Sequence, residues 1–244
     1  MNDKVKIVIL AAGRGTRMKS DRPKALAEIR GKLMLHHLRE AIAKIHPEKP
    51  VLVIGYQADL VRQELGDAFV YALQREQLGT AHAVMSAKKE LKGADNIMVL
   101  YGDNPFIKSE SIQKIINRHE ESGAVVTFAV TRAPQFTGEF SSFHHFGRIL
   151  RQNGKIMLRE YKDCSGEQKK IQELNVGCFI FKADWLWNHI DKVKNENAQK
   201  EYYINDLVNI AAEEGALAET IEISPREALG ANSKEELEIL EKFA

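Results

Sequence analysis

Residues 7–24 read IVILAAGRGTRMKSDRPK, an apolar strand that runs straight into a cationic, glycine-bearing loop. Gly13 and Gly15 leave no side chain between backbone and ligand, so consecutive N–H groups can turn inward as an anion nest. Arg14, Arg17 and Lys24 bring positive charge to the same place, and Pro23 stiffens the segment that presents Lys24. The glycines alone fit an ordinary strand-to-helix turn equally well. Arg17 and Pro23-Lys24 at fixed distance favour a loop that holds a nucleoside triphosphate. It is neither the G-x-x-x-x-G-K-[ST] phosphate loop nor the G-x-G-x-x-G dinucleotide turn.

Further apolar runs of strand length lie at Val51 to Ile54, Ile97 to Tyr101 and Val125 to Val130. They are nearly continuous rather than alternating, as strands covered on both faces of a parallel sheet read. Helical spacing lies between them, over Leu33 to Ile45, Ala58 to Leu65, Thr80 to Leu91 and onward from Ser109. Alternating strands and helices predict a doubly wound sheet, with ligands beyond the carboxyl ends of its strands. The second half predicts shorter strands at Arg148 to Leu150, Lys155 to Arg159 and Leu174 to Phe181, and helices at Ala183 to Lys192 and Asn205 to Glu214. Leu237, Leu240 and Phe243 share one side of a closing amphipathic helix.

The chain has 244 residues, with 35 Lys+Arg against 34 Asp+Glu, and a net charge of +1 argues against a nucleic-acid or membrane-surface partner. No apolar run approaches the roughly 20 residues of a membrane span, and the start does not read as a signal peptide, so a cytoplasmic location is expected. Cys164 and Cys178 lack metal or framework spacing and read as reduced thiols.

Two more segments carry chemistry. Tyr101-Gly102-Asp103-Asn104-Pro105 ends a central strand, where a carboxylate can reach the crevice and hold Mg²⁺ on phosphates, although the same residues have turn chemistry. In Gln74-Arg75-Glu76-Gln77-Leu78-Gly79-Thr80-Ala81-His82-Ala83, the glutamines suit the edge of an uncharged base and Gly79 permits close approach. Thr80 reads as the N-cap of the following helix, and His82 as a residue that packs or bonds locally.

With L-A-A-G-x-G-T-R-M, S-D-x-P-K, Q-x-E-Q-L-G-T-x-H-A, Y-G-D-x-P, G-R-I, Q-E-L-N-x-G, E-Y-Y-I-x-D and a late G-x-N, nearly the whole chain resembles a family. It is similar to the uridylyltransferase domain of the bifunctional bacterial N-acetylglucosamine-1-phosphate uridylyltransferase and glucosamine-1-phosphate acetyltransferase, within the sugar-nucleotide pyrophosphorylases. The resemblance implies a Rossmann-like α/β fold, a doubly wound mixed sheet with a smaller sugar-side lobe. It divides a single domain into a nucleotide half to about 131, a sugar half over 132–232 and a closing helix over 233–244.

By the same resemblance, Arg17 and Lys24 act as the catalytic cations on the triphosphate and the sugar phosphate. Leu10, Ala11, Ala12, Gly13, Gly15 and Gly102 lie along the nucleotide, while Gln74, Gln77, Gly79 and Thr80 read uracil. Asp103 and Asn232 hold the Mg²⁺ cofactor, and Gly147, Glu160, Asn175 and Tyr203 line the sugar pocket. UTP and N-acetylglucosamine 1-phosphate are the implied substrates.

The family enzyme continues into a β-helix of hexapeptide repeats that carries acetyl transfer; this sequence ends at Ala244 without them, so acetyl transfer is not expected and assembly is left open. Residues 132–147 form a longer stretch with Phe136, Phe140, Phe143 and Phe146, which predicts a hairpin folded on the second lobe, with a lid as the sharper alternative. Asn205 replaces the threonine usual in the family, beside the sugar site. A glucose or galactose 1-phosphate uridylyltransferase, an enzyme of relaxed specificity and a non-catalytic sugar-nucleotide-binding regulator stay open.

Overall fold

The opening apolar run forms β1 (Val5–Leu10), whose successive residues enter different cores. Ile7 and Ile9 pack on one side with Leu35, Leu38 and Ile112, whereas Val8 packs on the other with Val53, Val84 and Val99. Side chains alternate across a strand, so a sheet covered on both faces has no polar positions to alternate with. The structure, a computed structural model, describes residues 4–133 and 135–243. Met1 to Asp3, Pro134 within the phenylalanine-rich stretch and Ala244 at the end of the closing segment lie outside the described residues.

After β1 come the small hairpin β2 (Glu28–Ile29) and β3 (Lys32–Leu33), then α1 (Met34–Ala43), β4 (Val51–Ile54), α2 (Ala58–Leu65) and β5 (Val70–Leu73). They lead to α3 (Thr80–Ser86), β6 (Asn96–Tyr101), α4 (Ser109–Ser122) and β7 (Val126–Arg132). The second half adds β8 (Arg148–Gln152), β9 (Lys155–Arg159), β10 (Glu173–Lys182) and α5 (Ala183–His189). The chain finishes with α6 (Asp206–Glu214), β11 (Ala218–Glu222) and α7 (Lys234–Glu241), the last capped by the Ser233 hydroxyl, which accepts from Glu236 N at 3.2 Å.

One nine-stranded mixed sheet runs β11-β7-β10-β6-β1-β4-β5, with β8 and β9 leaning off β10. β1 is parallel to β4 and β6, and β10 runs antiparallel between β6 and β7. Its register with β7 shifts between Asn175 and Phe179, a bulge that holds Gly177 at φ 80°. Among the described residues, no helix is long and apolar enough to cross a membrane. Cys164 and Cys178 are buried free thiols.

Three expectations are corrected. α3 stops at Ser86 rather than Leu91, and β5 and β11 are strands absent from the reading above. The 132–147 stretch is not a hairpin: residues Gly138–His145 form 3₁₀ turns, because phenylalanines three residues apart, at 140, 143 and 146, share a helical face, not a strand face. Phe143 is fully buried, and Phe136, Phe140 and Phe146 pack against the same core.

Arg148 holds this segment in place from beneath. Its side chain is 0% exposed and donates to the carbonyls of His144 at 3.0 Å, Phe143 at 3.4 Å, Lys169 at 3.3 Å and Phe146. The guanidinium also lies 5.0 Å from the Phe136 ring and 5.2 Å from the Tyr161 ring. None of these partners is a carboxylate; the interior cation is stabilised by carbonyl dipoles and π faces. Arg148→Met would strand these carbonyls, and a loss of about 3 kcal/mol or more in urea unfolding is expected. Wild-type stability in that variant would refute the bracing role.

Candidate active site

β1, β4 and β6 point their carboxyl ends the same way, and a cavity of about 470 Å³ opens there. Every residue singled out as a site residue lines this cavity except Gly15. Gly15 has a different use: at φ 67°, an added Cβ would meet Lys24 Cβ at 2.6 Å. It is therefore the floor on which the lysine stem lies. Arg14 also leaves the cavity, its guanidinium stacking 5.2 Å from the Tyr56 ring. Arg17 lines the mouth from a short 3₁₀ turn anchored by buried Met18.

Pro23 starts the turn that carries Lys24, and Leu26 N and Ala27 N close it onto the Pro23 and Lys24 carbonyls. Lys24 is largely withdrawn from solvent. Its side chain is 17% exposed, and Nζ donates to Asp103 Oδ2 at 2.5 Å and to Asn232 Oδ1 at 2.5 Å. Two hard oxygen ligands, one from the turn after β6 and one from the loop before α7, thus converge on one cationic centre. The ammonium is a stand-in cation, and a pair of protein oxygens completed by phosphate and water suits Mg²⁺. Asp103 is held from behind: Ala231 N donates to its carbonyl at 3.1 Å, and a Cβ on Gly230 would lie 2.7 Å from that oxygen.

At one end, Gln74 is 3% exposed and its amide donates to Gly79 O at 3.1 Å while lying 3.0 Å from His82 Nδ1. Gln77 donates to the Gln74 carbonyl at 3.1 Å. Gly79 has φ 116°, and a Cβ there would lie 2.5 Å from Tyr202 O and 2.6 Å from Tyr202 N. Segments 78–81 and 202–204 form a short ladder, with Tyr202 N to Leu78 O and Ala81 N to Tyr202 O both at 2.8 Å. This corrects the helix cap. Gly79 occupies the N-cap of α3, and the Thr80 hydroxyl instead accepts from Ile204 N at 2.8 Å.

At the other end, Gly147, Glu160, Asn175 and Tyr203 share the wall. Among the described residues the Tyr203 hydroxyl has no hydrogen-bond partner, although it is buried on a residue only 7% exposed. Tyr101, Asn104, Gly177, Glu201 and Asn205 line the cavity as well, although no role had been assigned to them. Most had a signal, since they lie inside or beside the motifs that carry the resemblance. His145, at the mouth, had none. Burial, then His144 and Arg17, hold its imidazole below the ordinary 6.5.

Burial pushes Glu160 up from 4.5 to about 7, against the hydrogen bond from Asn205, with Asp163, Asp206 and Glu201 adding to the rise. Burial likewise raises Asp206 from 3.8 to about 6, opposed by Asn209 and helped by Asp163. Both acids bind protons more tightly folded than unfolded, so stability falls as pH rises from about 4 to about 7. Glu160→Gln is therefore expected to unfold at a higher temperature than wild type at pH 8 and at the same temperature at pH 4. An equal difference at the two pH values would remove the ionisation argument.

Comparison with known proteins places this geometry. A MobA-like NTP transferase domain matches residues 7–174, from the first strand into β10. The chain belongs to the MobA-like NTP transferase family. It is a nucleotidyltransferase. Among relatives, it is 38% identical over 98% of its length to the "Bifunctional protein GlmU" of Brevibacillus brevis, covering 51% of that protein. The Clostridioides difficile protein of the same name is 37% identical, with 51% covered, and that of Desulfotalea psychrophila is 37% identical, with 68% covered. The chain thus spans about half the length of most of these relatives.

Solved structures agree on the fold. A candidate glucose-1-phosphate thymidylyltransferase from Bacillus anthracis superposes at a TM-score of 0.75 with 20% identity, covering 98% of this chain and 95% of that one. A UDP-glucose pyrophosphorylase in complex with UDP-glucose gives 0.74 with 17% identity, covering 98% of each. Both are sheets of this same mixed α/β kind.

Proposed function

We propose that this chain transfers the uridylyl group of UTP to N-acetylglucosamine 1-phosphate in the cytoplasm, releasing pyrophosphate and forming UDP-N-acetylglucosamine. The observation that carries the reading is the convergence of Lys24, Asp103 and Asn232 in one cavity that the amides of Gln74 and Gln77 and the acid-bearing Glu160 wall also line. The sequence motifs and the relatives named GlmU support that choice of base and sugar.

The chemistry asks for positioning more than proton transfer. A sugar 1-phosphate carries about −1.5 to −2 charge at neutral pH, so its oxygen is already a nucleophile. That oxygen bonds to the α-phosphorus of UTP as the bond to the β-phosphate oxygen breaks, and pyrophosphate leaves with the electron pair. Lys24 and Arg17 draw the two polyanions together and balance the developing charge. Asp103 and Asn232 would hold Mg²⁺, which when bound neutralises phosphate charge. Gln74, Gln77, Gly79 and Thr80 would seat the uracil, and Glu160, Asn175 and Tyr203 the sugar hydroxyls and amide, the Tyr203 hydroxyl gaining the partner that it lacks.

The test is pyrophosphate release with Mg²⁺ across UTP, CTP and dTTP, each with a panel of sugar 1-phosphates. UTP with N-acetylglucosamine 1-phosphate should give the highest kcat/KM. A different leading pair would change the named product, and silence from every pair would overturn the enzymatic reading.

A further inference from the structure

We propose that Asn205 is a positioning residue, its side-chain amide fixing the Glu160 carboxylate as a hydrogen-bond acceptor for the sugar at the far end of the cavity. The inference rests on the function proposed above.

The polarity of this corner is set from the backbone. Gly177 N–H, in the bulge of β10, can only donate, and it donates to Asn175 Oδ1 at 3.1 Å. The Asn175 amide must then present its NH₂ to Asn205 Oδ1, 3.4 Å away, which leaves the Asn205 NH₂ to donate to Glu160 Oε1. Each orientation forces the next, and no freely rotating hydroxyl interrupts the series. Asn175 is 7% exposed and Asn205 3%, so water does not compete freely for these bonds.

Asn205 gives up a local role to do this. It stands at the N-cap of α6, where an asparagine oxygen ordinarily accepts from its own helix, yet it makes no capping bond. Gly147 lies close to the same carboxylate oxygen, a Cβ there standing 3.5 Å from Glu160 Oε1. The charged groups acting on Glu160 from the neighbouring elements are Asp163, Asp206 and Glu201, all of them acids, and the Glu160 charge in turn raises Tyr101, Tyr203 and Cys164. Asn205 is the group among these neighbours that stabilises the ionised form, against burial that pushes it toward 7.

The experiment pairs kinetics with a direct titration. Asn205→Ala should raise KM for the sugar 1-phosphate about tenfold and leave KM for UTP within about twofold. It should also move the acid limb of kcat/KM for the sugar upward by about one pH unit. In a Glu160→Gln background the same change should add nothing. Carboxyl ¹³C NMR of the free protein should show the Glu160 titration moving up in Asn205→Ala. Asn175→Ser, which breaks the series one step earlier, should shift it in the same direction and serves if Asn205→Ala does not fold. An unmoved Glu160 titration, or equal rises in KM for both substrates, overturns the inference. A shifted titration in a protein that uses no sugar 1-phosphate would sustain the Asn205 contact and overturn the proposed reaction.

Discussion

Lys24→Ala is expected to lower kcat by about 100-fold or more while the protein stays folded. The ammonium is the one side-chain cation held between Asp103 and Asn232, and its stem is guided by the bare backbone of Gly15. When phosphates enter, it can move from those oxygens to the developing negative charge, and one preorganised donor of this kind is worth about 10²–10³ in rate. The structural penalty is smaller. Asp103 loses a partner at a site where its side chain is 19% exposed, which costs about 1–3 kcal/mol, or a few degrees in a chain of this size. Lys24→Arg should restore less than a tenth of the rate, because a planar fork cannot place one point charge between two oxygens. Saturating-substrate pyrophosphate release, read beside calorimetry, separates the effects; a Lys24→Ala variant within threefold of wild-type kcat would defeat the assignment.

Gly79→Ala should do the reverse, damaging the fold and both substrate ends together. The added methyl would stand 2.5 Å from Tyr202 O and 2.6 Å from Tyr202 N, at a φ of 116° that alanine rarely adopts. Backbone cannot rotate aside as a side chain can, so segments 78–81 and 202–204 must separate, losing the Leu78, Ala81 and Thr80 contacts to the second half. A loss of about 3 kcal/mol or more is expected, roughly 6–12 °C in the melting midpoint, with KM rising for nucleotide and sugar alike. Gly154→Ala is the control: its φ is 75°, but nothing lies within 4 Å of the new Cβ. It should cost about 1 kcal/mol and leave KM unchanged. If the two variants melt alike, the packing against Tyr202 is not what requires glycine at 79.

What could be read in the sequence follows from burial. β1, β4, β6 and β7 are covered on both faces, so their apolar runs are nearly continuous and stand out. β5 lies at the sheet edge with Val70 and Leu73 exposed, and β11 is half-exposed at the other edge; neither leaves a clear periodic signal. Thr80 fits a local capping rule, but Ile204 N, distant in sequence, takes its hydroxyl. The phenylalanines near 140 are visible, whereas the buried Arg148 that organises the backbone around them reads as one more surface charge. The Glu160, Asn175 and Tyr203 wall came through family likeness; the Asn205 amide that joins two of these residues is a property of three dimensions.

The antiparallel placement of β10 also governs how the molecule can be made. β6 and β7 are complete by Arg132, yet the strand that separates and pairs with both runs from Glu173 to Lys182. A nascent chain emerging from the ribosome therefore holds two unpaired central edges until some fifty further residues have been synthesised. Fragments cut between the halves would expose those edges to other chains, so the nucleotide side and the sugar side are expected to acquire structure as one cooperative unit.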